Sequence, residues 1–528
     1  MTDDDYKEVI ENAQVSQNDF ITGNFKNVNV RVNFTITDNG KTIFFPETTL
    51  QLDGNYARSF SKPNFNIKLP TEYNNRKNFH LHSSVNDKSH IKQKLVCDIL
   101  NRVGLPSTQS TFVRLTINGN LYGLYTLMDT PEPSNIKRLY NTKKDDLKII
   151  QCKYTGFTFT YGTANYCVSD DSDDKSNIQE FNEFLAEVDK AQTIEDLEKI
   201  MNIDIFLKYI AIDWIIGSSD HLLINGNNVY FYKSEINNKW DIIYYDFDNT
   251  FGQGIGDWVW TNGKNKDIKE YYKLSFKQFT NDQRIFDVAV NNDDTRFIQN
   301  LKDILTFGFN PVLLNLHINN IKELIDPYIR EEFTSVNDQL PGRINKKGLS
   351  MESSYEEYQM ATEYKTTNYT DISGQINFVP GIKFWIENSF ENVCNQYKFD
   401  KDEILDNAVT LTPISFFTRI KNGELPYDDN SIGQSAVEEP KPAEEKCWSE
   451  EQGFPCCKGC VVIYTENNEK WGIENDEWCG INKTTCQEDY CNKNNEYECC
   501  ETCTEYFSDN TGRYGYENEK WCLLKDSC

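Results

Sequence analysis

Twelve of the 16 cysteines in this 528-residue chain lie in its last 82 residues, and they repeat. "CWSEEQGFPCCKGCVVIYTENNEKWGIENDEWCGINKTTC" (447–486) and "CNKNNEYECCETCTEYFSDNTGRYGYENEKWCLLKDSC" (491–528) each hold six, in the order C, CC, C, C, C. Their central parts superimpose with an offset of 43, and in both Cys-Cys-x-x-Cys is followed by 17 residues and then Trp-Cys. Chance does not produce this twice, so the tail is a tandem repeat. About forty residues cannot bury an adequate core, so covalent staples must supply the stability. Three disulfides per repeat fit, from Cys447, Cys456, Cys457, Cys460, Cys479 and Cys486 in the first, and from Cys491, Cys499, Cys500, Cys503, Cys522 and Cys528 in the second. Zinc is the competing reading, because Cys457/Cys460 and Cys500/Cys503 have ligand spacing. Six thiols without a histidine suit three disulfides better.

"CCKGC…WGIENDEWCGI" and "CCETC…YGYENEKWC" resemble the dockerin modules of anaerobic fungi, relatives of carbohydrate-binding-module family ten. The resemblance implies docking onto a scaffolding protein of an extracellular cellulosome. Trp471 and Trp478 match Tyr514 and Trp521. Modules with so little interior must expose some aromatics, and exposed aromatics are hot-spot material for a partner; packing against disulfides is the alternative. The second repeat has Cys-Leu-Leu where the first has Cys-Gly-Ile, and it lacks an equivalent of Trp448. Residues 426–446 are polar, acidic and Pro-containing, a linker between the repeats and a head of about residues 15–425.

Composition narrows the partners. A net charge of −28 disfavours nucleic acid and anionic membranes. No apolar run approaches the roughly 18 to 20 residues needed to span a bilayer. The opening "MTDDDYKEVIENAQ" does not read as a signal peptide, while the cysteine usage points outside the cell. Asn-x-Ser/Thr occurs at Asn33, Asn368 and Asn482. In the head, Cys152 and Cys167 could staple a hairpin, and Cys97 and Cys394 read equally well as buried thiols.

The head begins with strands: "VNVRVNFTI", "KTIFFPETTLQL" and "NFNIKL". "DKSHIKQKLVCDILNRVGL" reads as a helix that Asp87 can cap, and Asn118-Gly119 marks a hairpin in "STFVRLTINGNLYGLYTLMD". From about residue 175 the pattern turns helical. "NIQEFNEFLAEVDKA", "TIEDLEKIMNIDIFLKYIAIDWIIG" and the stretches 297–332 and 381–397 carry helical periodicity, interrupted by the hairpin "NVYFYKSEINNKWDIIYYDFD". The expected class is therefore α+β: a β-rich lobe with one helix, then a mostly helical lobe, in the order of a two-lobed protein-kinase-like fold. Small disulfide-rich β modules follow.

Within that hairpin region "NKWDIIYYDFDNTFGQG" ends a strand on Asp246 and Asp248 and then turns on glycines. Carboxylates at the mouth of a strand can hold a divalent cation against phosphate; an Asp-rich turn that only caps its own backbone is the plain alternative. Upstream, "GSSDHLLINGNNVYFYK" places Asp220 ahead of Asn225, Asn227 and Asn228. An Asp with an Asn several residues on suits phosphoryl transfer, although the kinase HRDxxxxN motif is absent.

The whole head resembles the CotH family of atypical secreted kinases. The resemblance rests on "GNYARSFSKPNFNIKL", "DKSHIKQKL", "VRLTINGNLYGLYTLMD", "SSDHLLINGNNVYFYK" and "WDIIYYDFDNTFG". Three positions depart from the family: Tyr245 stands where Trp is usual, Pro63 replaces a lysine after Lys62, and Asp129 stands where Glu is frequent. The resemblance implies ATP with Mg²⁺ or Mn²⁺. Asp220 would be the catalytic acid/base and Asp246 the metal carboxylate. Asp248 would be co-ligand or orienter, and Asn228 (or Asn225) the accessory ligand. Lys68 would contact phosphate, with Lys62 and Arg58 as alternatives, or would be a solvated strand lysine. His221 reads as a local hydrogen-bonder. Two rival readings remain: a non-catalytic adhesin, as some CotH-like proteins are, or a plant-cell-wall hydrolase. Two acids two residues apart on one segment do not suit a glycosidase, whose carboxyls face each other across a sugar. The acceptor of phosphate would be an unidentified protein.

Overall fold

The computed structural model describes residues 1–54, 56–142, 147–169, 175–255, 270–280, 282–336, 338–349, 353–370 and 376–410, and in the tail 449, 454–455, 457, 464–466, 469–474, 477–480, 498–500, 507–509, 512–517 and 520–524. The chain divides into two compact units, Met1–Ala436 and Val437–Cys528.

The first unit is mixed α+β. Six antiparallel strands form a sheet in the order β1-β2-β3-β4-β6-β5: β1 Asn29–Asp38, β2 Lys41–Asp53, β3 Asn64–Tyr73, β4 Arg76–His82, β5 Ser110–Ile117 and β6 Asn120–Asp129. The hairpin at Asn118-Gly119 forms as its sequence requires, with both residues at positive φ (47° and 78°). Asn74 and Asn75 do the same at 49° and 59°, joining β3 to β4. The sequence reading passes over β4, because an Asn-Asn turn without glycine is a weaker signal.

Alternation gives this sheet two unlike faces. Phe65, Ile67, Phe79 and Leu81 pair across β3 and β4 in a core with Leu50, Leu52 and Tyr125. Asn64, Asn66, Lys68, His80 and His82 fall on the opposite face, with Asn66 opposite His80 and Lys68 opposite Asn78.

The helix Lys92–Arg102 corrects an expectation. It follows the strands in sequence, but Leu95, Val96, Ile99 and Leu100 pack into the large core around Phe206, Phe231 and Leu301 rather than into the sheet's own core. Asp87 serves its start from five residues upstream, accepting the Lys92 amide at 3.0 Å. The helical stretch 193–217 breaks into Ile194–Glu198 and Ile203–Ile215, because Asn202 and Ile200 exchange backbone hydrogen bonds with Trp240. The stretch 297–332 breaks at Asn310, whose side chain caps the helix Pro311–Glu332 through the Leu313 amide.

A second sheet, in the order β10-β9-β7-β8, lies within the large core: β7 Ile149–Cys152, β8 Cys167–Ser169, β9 Val229–Lys233 and β10 Trp240–Tyr244. Cys152 and Cys167 sit opposite each other on β7 and β8 and are disulfide-bonded, while Cys97 and Cys394 are buried free thiols.

In the second unit the repeat reappears as structure. Strands Tyr464–Glu466, Glu469–Glu474 and Glu477–Gly480 are matched, 43 residues on, by Phe507–Asp509, Gly512–Glu517 and Lys520–Leu523. The disulfides Cys457–Cys479 and Cys500–Cys522 are equivalent, and in both modules the second cysteine faces a glycine on the neighbouring strand (Gly472 and Gly515). Cys447, Cys456, Cys460, Cys486, Cys491, Cys503 and Cys528 lie outside the described residues, as does the side chain of Cys499. Trp478 is exposed. The side chains of Trp471, Tyr514 and Trp521 also lie outside what is described, as does Asn482.

Candidate active site

A cleft of about 400 Å³ opens between the polar face of the first sheet and the loops that follow the helix Ile203–Ile215 and strand β10. One wall carries Asp53, Asn64, Asn66, His80, His82 and Asn86. The other carries Asp220, Asn227, Asn228, Asp246, Asp248 and Asn249. Four residues singled out from sequence, Asp220, Asn228, Asp246 and Asp248, thus reach one cavity.

The loop bearing Asp220 is fixed from below. Asp213, fully buried on the helix Ile203–Ile215, accepts the Leu223 amide at 3.1 Å and the Tyr244 hydroxyl at 3.3 Å. Burial holds Asp213 far above the usual carboxylate range. The side-chain amides of Asn225, Asn227 and Asn228 all donate to the Asp220 carboxylate, Asn228 at 3.0 Å. Burial raises the pKa of Asp220, and these amides oppose the rise by favouring the anion. His221 is the local hydrogen-bonder expected: Nδ1 meets Ser218 Oγ at 2.6 Å, Nε2 meets the Tyr245 carbonyl at 3.0 Å, and the ring stacks on Tyr244.

The segment 246–252 is held just as closely. Gln93 accepts the Phe247 amide at 2.9 Å, and buried Lys92 donates to the Asp248 carbonyl at 3.0 Å and to Gln253 at 2.6 Å. Gly252 and Gly217 explain the glycines of the sequence. Both have positive φ, and a Cβ on either would fall within 2.4 Å and 2.1 Å respectively of the Trp385 ring. Asp246 and Asn228 themselves hold φ of 62° and 54° without being glycine, a conformation found where the surroundings impose it and common at functional sites.

The electrostatics are those of crowded carboxylates facing one imidazole. Burial, then the neighbouring Asp248, raises Asp246 to about 6. Burial would raise Asp248 too, but His82 and Lys92 hold it below its ordinary value. Burial works against charge on His82, yet Asp248, Asp246 and Asp87 together raise it to about 9. His82 Nε2 lies 3.2 Å from Asp248 Oδ2.

The basic residues need correcting. Arg58 is buried and spends its donors on Gly54, Lys26 and Leu52 carbonyls and on Asn27. Lys62 is fully buried, with its ammonium on Glu332 (2.8 and 2.9 Å) and on the Leu124 carbonyl (2.7 Å), and Arg343 joins the same glutamate. Neither offers a donor to the cleft. Lys68 shares the cleft-facing side of β3 with Asn64 and Asn66 but stands exposed beyond the cleft lining. Lys153, just after the disulfide-bonded Cys152, is the one lysine or arginine lining the cleft among the described residues. Asp129 pairs with Arg76 and Arg138 rather than with a lysine.

Sequence reasoning missed His82, Asn86, Asp213 and Lys153. The alternation "NFHLH" after Asn-Asn carried a signal for His82; the others depend on contacts between segments far apart in sequence.

Together these features define an α+β protein with an acidic cleft between a sheet and a helical core, followed by two disulfide modules. Residues 50–371 match the family described as CotH kinase protein, more than half of the chain, and the chain belongs to the CotH family. Residues 446–481 and 490–524 match the family described as a cellulose or protein binding domain. Invasin CotH2 of Rhizopus delemar is 26% identical over 288 residues, 51% of this chain and 47% of that protein. Invasin CotH3 of the same organism is 27% identical over 196 residues, 34% and 33% respectively. In the tail, mannan endo-1,4-beta-mannosidase A of Piromyces sp is 54% identical over 37 residues, 7% of this chain and 6% of that protein. The chain spans less than half the length of each of these relatives. The solved double dockerin from Piromyces equi Cel45A shares 38% identity across 16% of this chain and 88% of that one, with a TM-score of 0.08.

Proposed function

We propose that the head is a two-lobed, protein-kinase-like phosphotransferase that uses ATP and a divalent cation, and that the tail docks it onto a cellulosomal scaffolding protein outside the cell. One observation carries the catalytic reading: Asp220, cradled by asparagine amides, and the pair Asp246/Asp248 line one cleft. The donor set fits Mg²⁺ or Mn²⁺. Asp248 Oδ1 is buried and has no hydrogen-bond partner, an oxygen that a cation would satisfy. Asp246 and Asp248 would hold the ion, with the Asn228 amide oxygen as accessory ligand, since its amide nitrogen is committed to Asp220. The bound ion supplies charge neutralisation on the phosphates. Asp220 orients an acceptor hydroxyl and takes its proton at a carboxylate oxygen. Lys153 or Lys68 meets the phosphate oxygens from the rim. The segment Met128–Glu132, where the chain leaves β6, lines the cleft and offers a wall for the nucleobase.

The test is nucleotide-dependent thermal stabilisation and transfer of labelled phosphate from ATP. Asp246→Ala is expected to abolish metal-dependent binding, and Asp220→Ala to spare binding and lower turnover by roughly 10²-fold or more. A second reading, a non-catalytic adhesin, is favoured by the two relatives named invasins. Absence of any nucleotide response with either metal would decide for it.

A further inference from the structure

We propose that His82 is a direct ligand of the metal, so that the ion is gripped from both walls of the cleft and the site prefers Mn²⁺ to Mg²⁺. The inference rests on the reading that Asp246 and Asp248 hold a cation.

Geometry supplies the first argument. One ligand atom each from His82, Asp246 and Asp248 lie within 4.8 Å of one another. Donors on one ion with bonds of about 2.1 Å stand roughly 3 to 4.2 Å apart. A small inward movement therefore suffices.

Unmet bonding capacity supplies the second. Asp248 is 8% exposed, and its Oδ1 is buried without a partner. Asn86, 9% exposed and on the loop just after β4, has an equally unpartnered Oδ1 and lines the same cleft. Two orphaned oxygens beside a buried imidazole are costly in water-poor surroundings unless something satisfies them.

The ring can make the exchange. Without metal, the ring donates from Nε2–H to Asp248 Oδ2, and its Nδ1 lies 3.3 Å from Ser84 Oγ. When Nε2 takes the ion, its proton leaves to solvent, and Nδ1 keeps the other and donates it to Ser84 Oγ. Ser84 Oγ can in turn donate to Thr126 Oγ1, also at 3.3 Å. That is the outer partner a ligating histidine requires.

The chemical consequence is selectivity. Mg²⁺ favours oxygen donors and water, whereas imidazole suits first-row transition ions. The mechanical consequence is a clasp. His82 ends β4 in the first sheet, and Asp246 and Asp248 follow β10 in the second. The ion would therefore tie the two walls together before nucleotide arrives.

The experiment uses the full chain titrated with Mn²⁺ and with Mg²⁺, followed by the free-Mn²⁺ EPR signal, by competition, and by electron spin-echo modulation of bound Mn²⁺. Expected are Mn²⁺ affinity at least about tenfold above that for Mg²⁺ and a nitrogen modulation from a coordinated imidazole. In His82→Gln the modulation disappears and Mn²⁺ affinity falls about tenfold or more, with little change for Mg²⁺. Asp246→Asn should lose binding of both ions. Mn²⁺ bound in an Asp246-dependent way but without nitrogen modulation overturns the role of His82 and leaves the metal reading standing. Mn²⁺ binding indifferent to Asp246→Asn, or no Mn²⁺ binding, defeats both. The wild-type spectrum decides even if the histidine variant fails to fold.

Discussion

At the scale of the residue, His221 shows how a local hydrogen-bond pattern becomes a pH dependence. It is fully buried, and burial lowers it to about 4 from 6.5. A neutral ring satisfies both its neighbours, since one nitrogen accepts from Ser218 Oγ while the other donates to the Tyr245 carbonyl. Because the unfolded chain holds the proton more tightly, the stability this group contributes is whole above pH 6.5 and drains as pH falls from 6.5 towards 4. The slope is up to ~1.4 kcal/mol per pH unit. His221→Gln should therefore be clearly less stable than the wild type at pH 7.5, and the gap should narrow by up to about 3 kcal/mol at pH 4. Urea unfolding of both proteins at the two pH values measures this; a gap that stays constant would refute it. The acidic half of the site was legible for a related reason. Asp220, Asn228, Asp246 and Asp248 sit in short segments next to strand ends, so sequence spacing already implies their spatial neighbourhood. Arg58 and Lys62 were misread because charge alone does not say where a donor is spent. Their acceptors, Lys26 and Asn27 in one case and Glu332 in the other, lie up to 270 residues away.

At the scale of the element, the helix Ile382–Tyr397 buttresses the site at a distance. Trp385 donates from its indole to the Ile215 carbonyl at 2.9 Å and lies across Gly217 and Gly252. These glycines belong to two segments that pair through Phe251 to Ile216 and Gly252 to Gly217, so the tryptophan clamps both loops at once. Gly252→Ala adds a methyl where only Trp385 fits, at a φ of 86° that side chains rarely adopt. The expected cost is roughly 2 to 4 kcal/mol. In a Trp385→Ala background the steric share should vanish and leave roughly the backbone share of 1 to 2 kcal/mol, which a double-mutant cycle on denaturation midpoints would read as coupling. Additive costs would mean that the ring is not what excludes the methyl. Periodicity found most of the elements but not where they end or pack. The breaks at Asn202 and Asn310 come from tertiary hydrogen bonds and a cap. The helix Lys92–Arg102 belongs to the large core because its apolar face joins the buried cluster that also holds Phe206 and Leu301, a choice no local pattern encodes. Strand β4 was passed over with its Asn-Asn turn, and His82 went with it.

At the scale of the whole molecule, head and tail obey different physics. The first unit buries extensive apolar cores, whereas the described core of the second module is Cys500, Cys522 and Leu524. A module so built depends on its covalent links. Reduction should therefore abolish the fold and partner binding of an isolated 447–528 fragment, while EDTA should leave both intact if the remaining cysteines pair as Cys457–Cys479 and Cys500–Cys522 do. The described pairs Cys457–Cys479 and Cys500–Cys522 each close a sequence separation of 22 residues, for which chain entropy alone suggests about 3 kcal/mol per bond. That is a large share of what a forty-residue module can have. Twelve paired cysteines predict a mass about 12 Da below that of the fully reduced fragment, two hydrogens per bridge. The duplication adds a functional consequence. With only "QEDY" between Cys486 and Cys491, binding of one module holds the other at high effective concentration near an adjacent site. If the scaffold offers paired sites, the tandem should bind more tightly than either module alone, by far more than the factor of two that statistics supply. Replacing exposed Trp478 should weaken its module by a hot-spot amount, roughly 1 to 3 kcal/mol. Surface-binding measurements on the tandem, each single module and the Trp478→Ala tandem separate these effects. Free thiols in oxidised material, or unfolding by chelator, would return the tail to the zinc reading and remove the ground for placing this protein outside the cell.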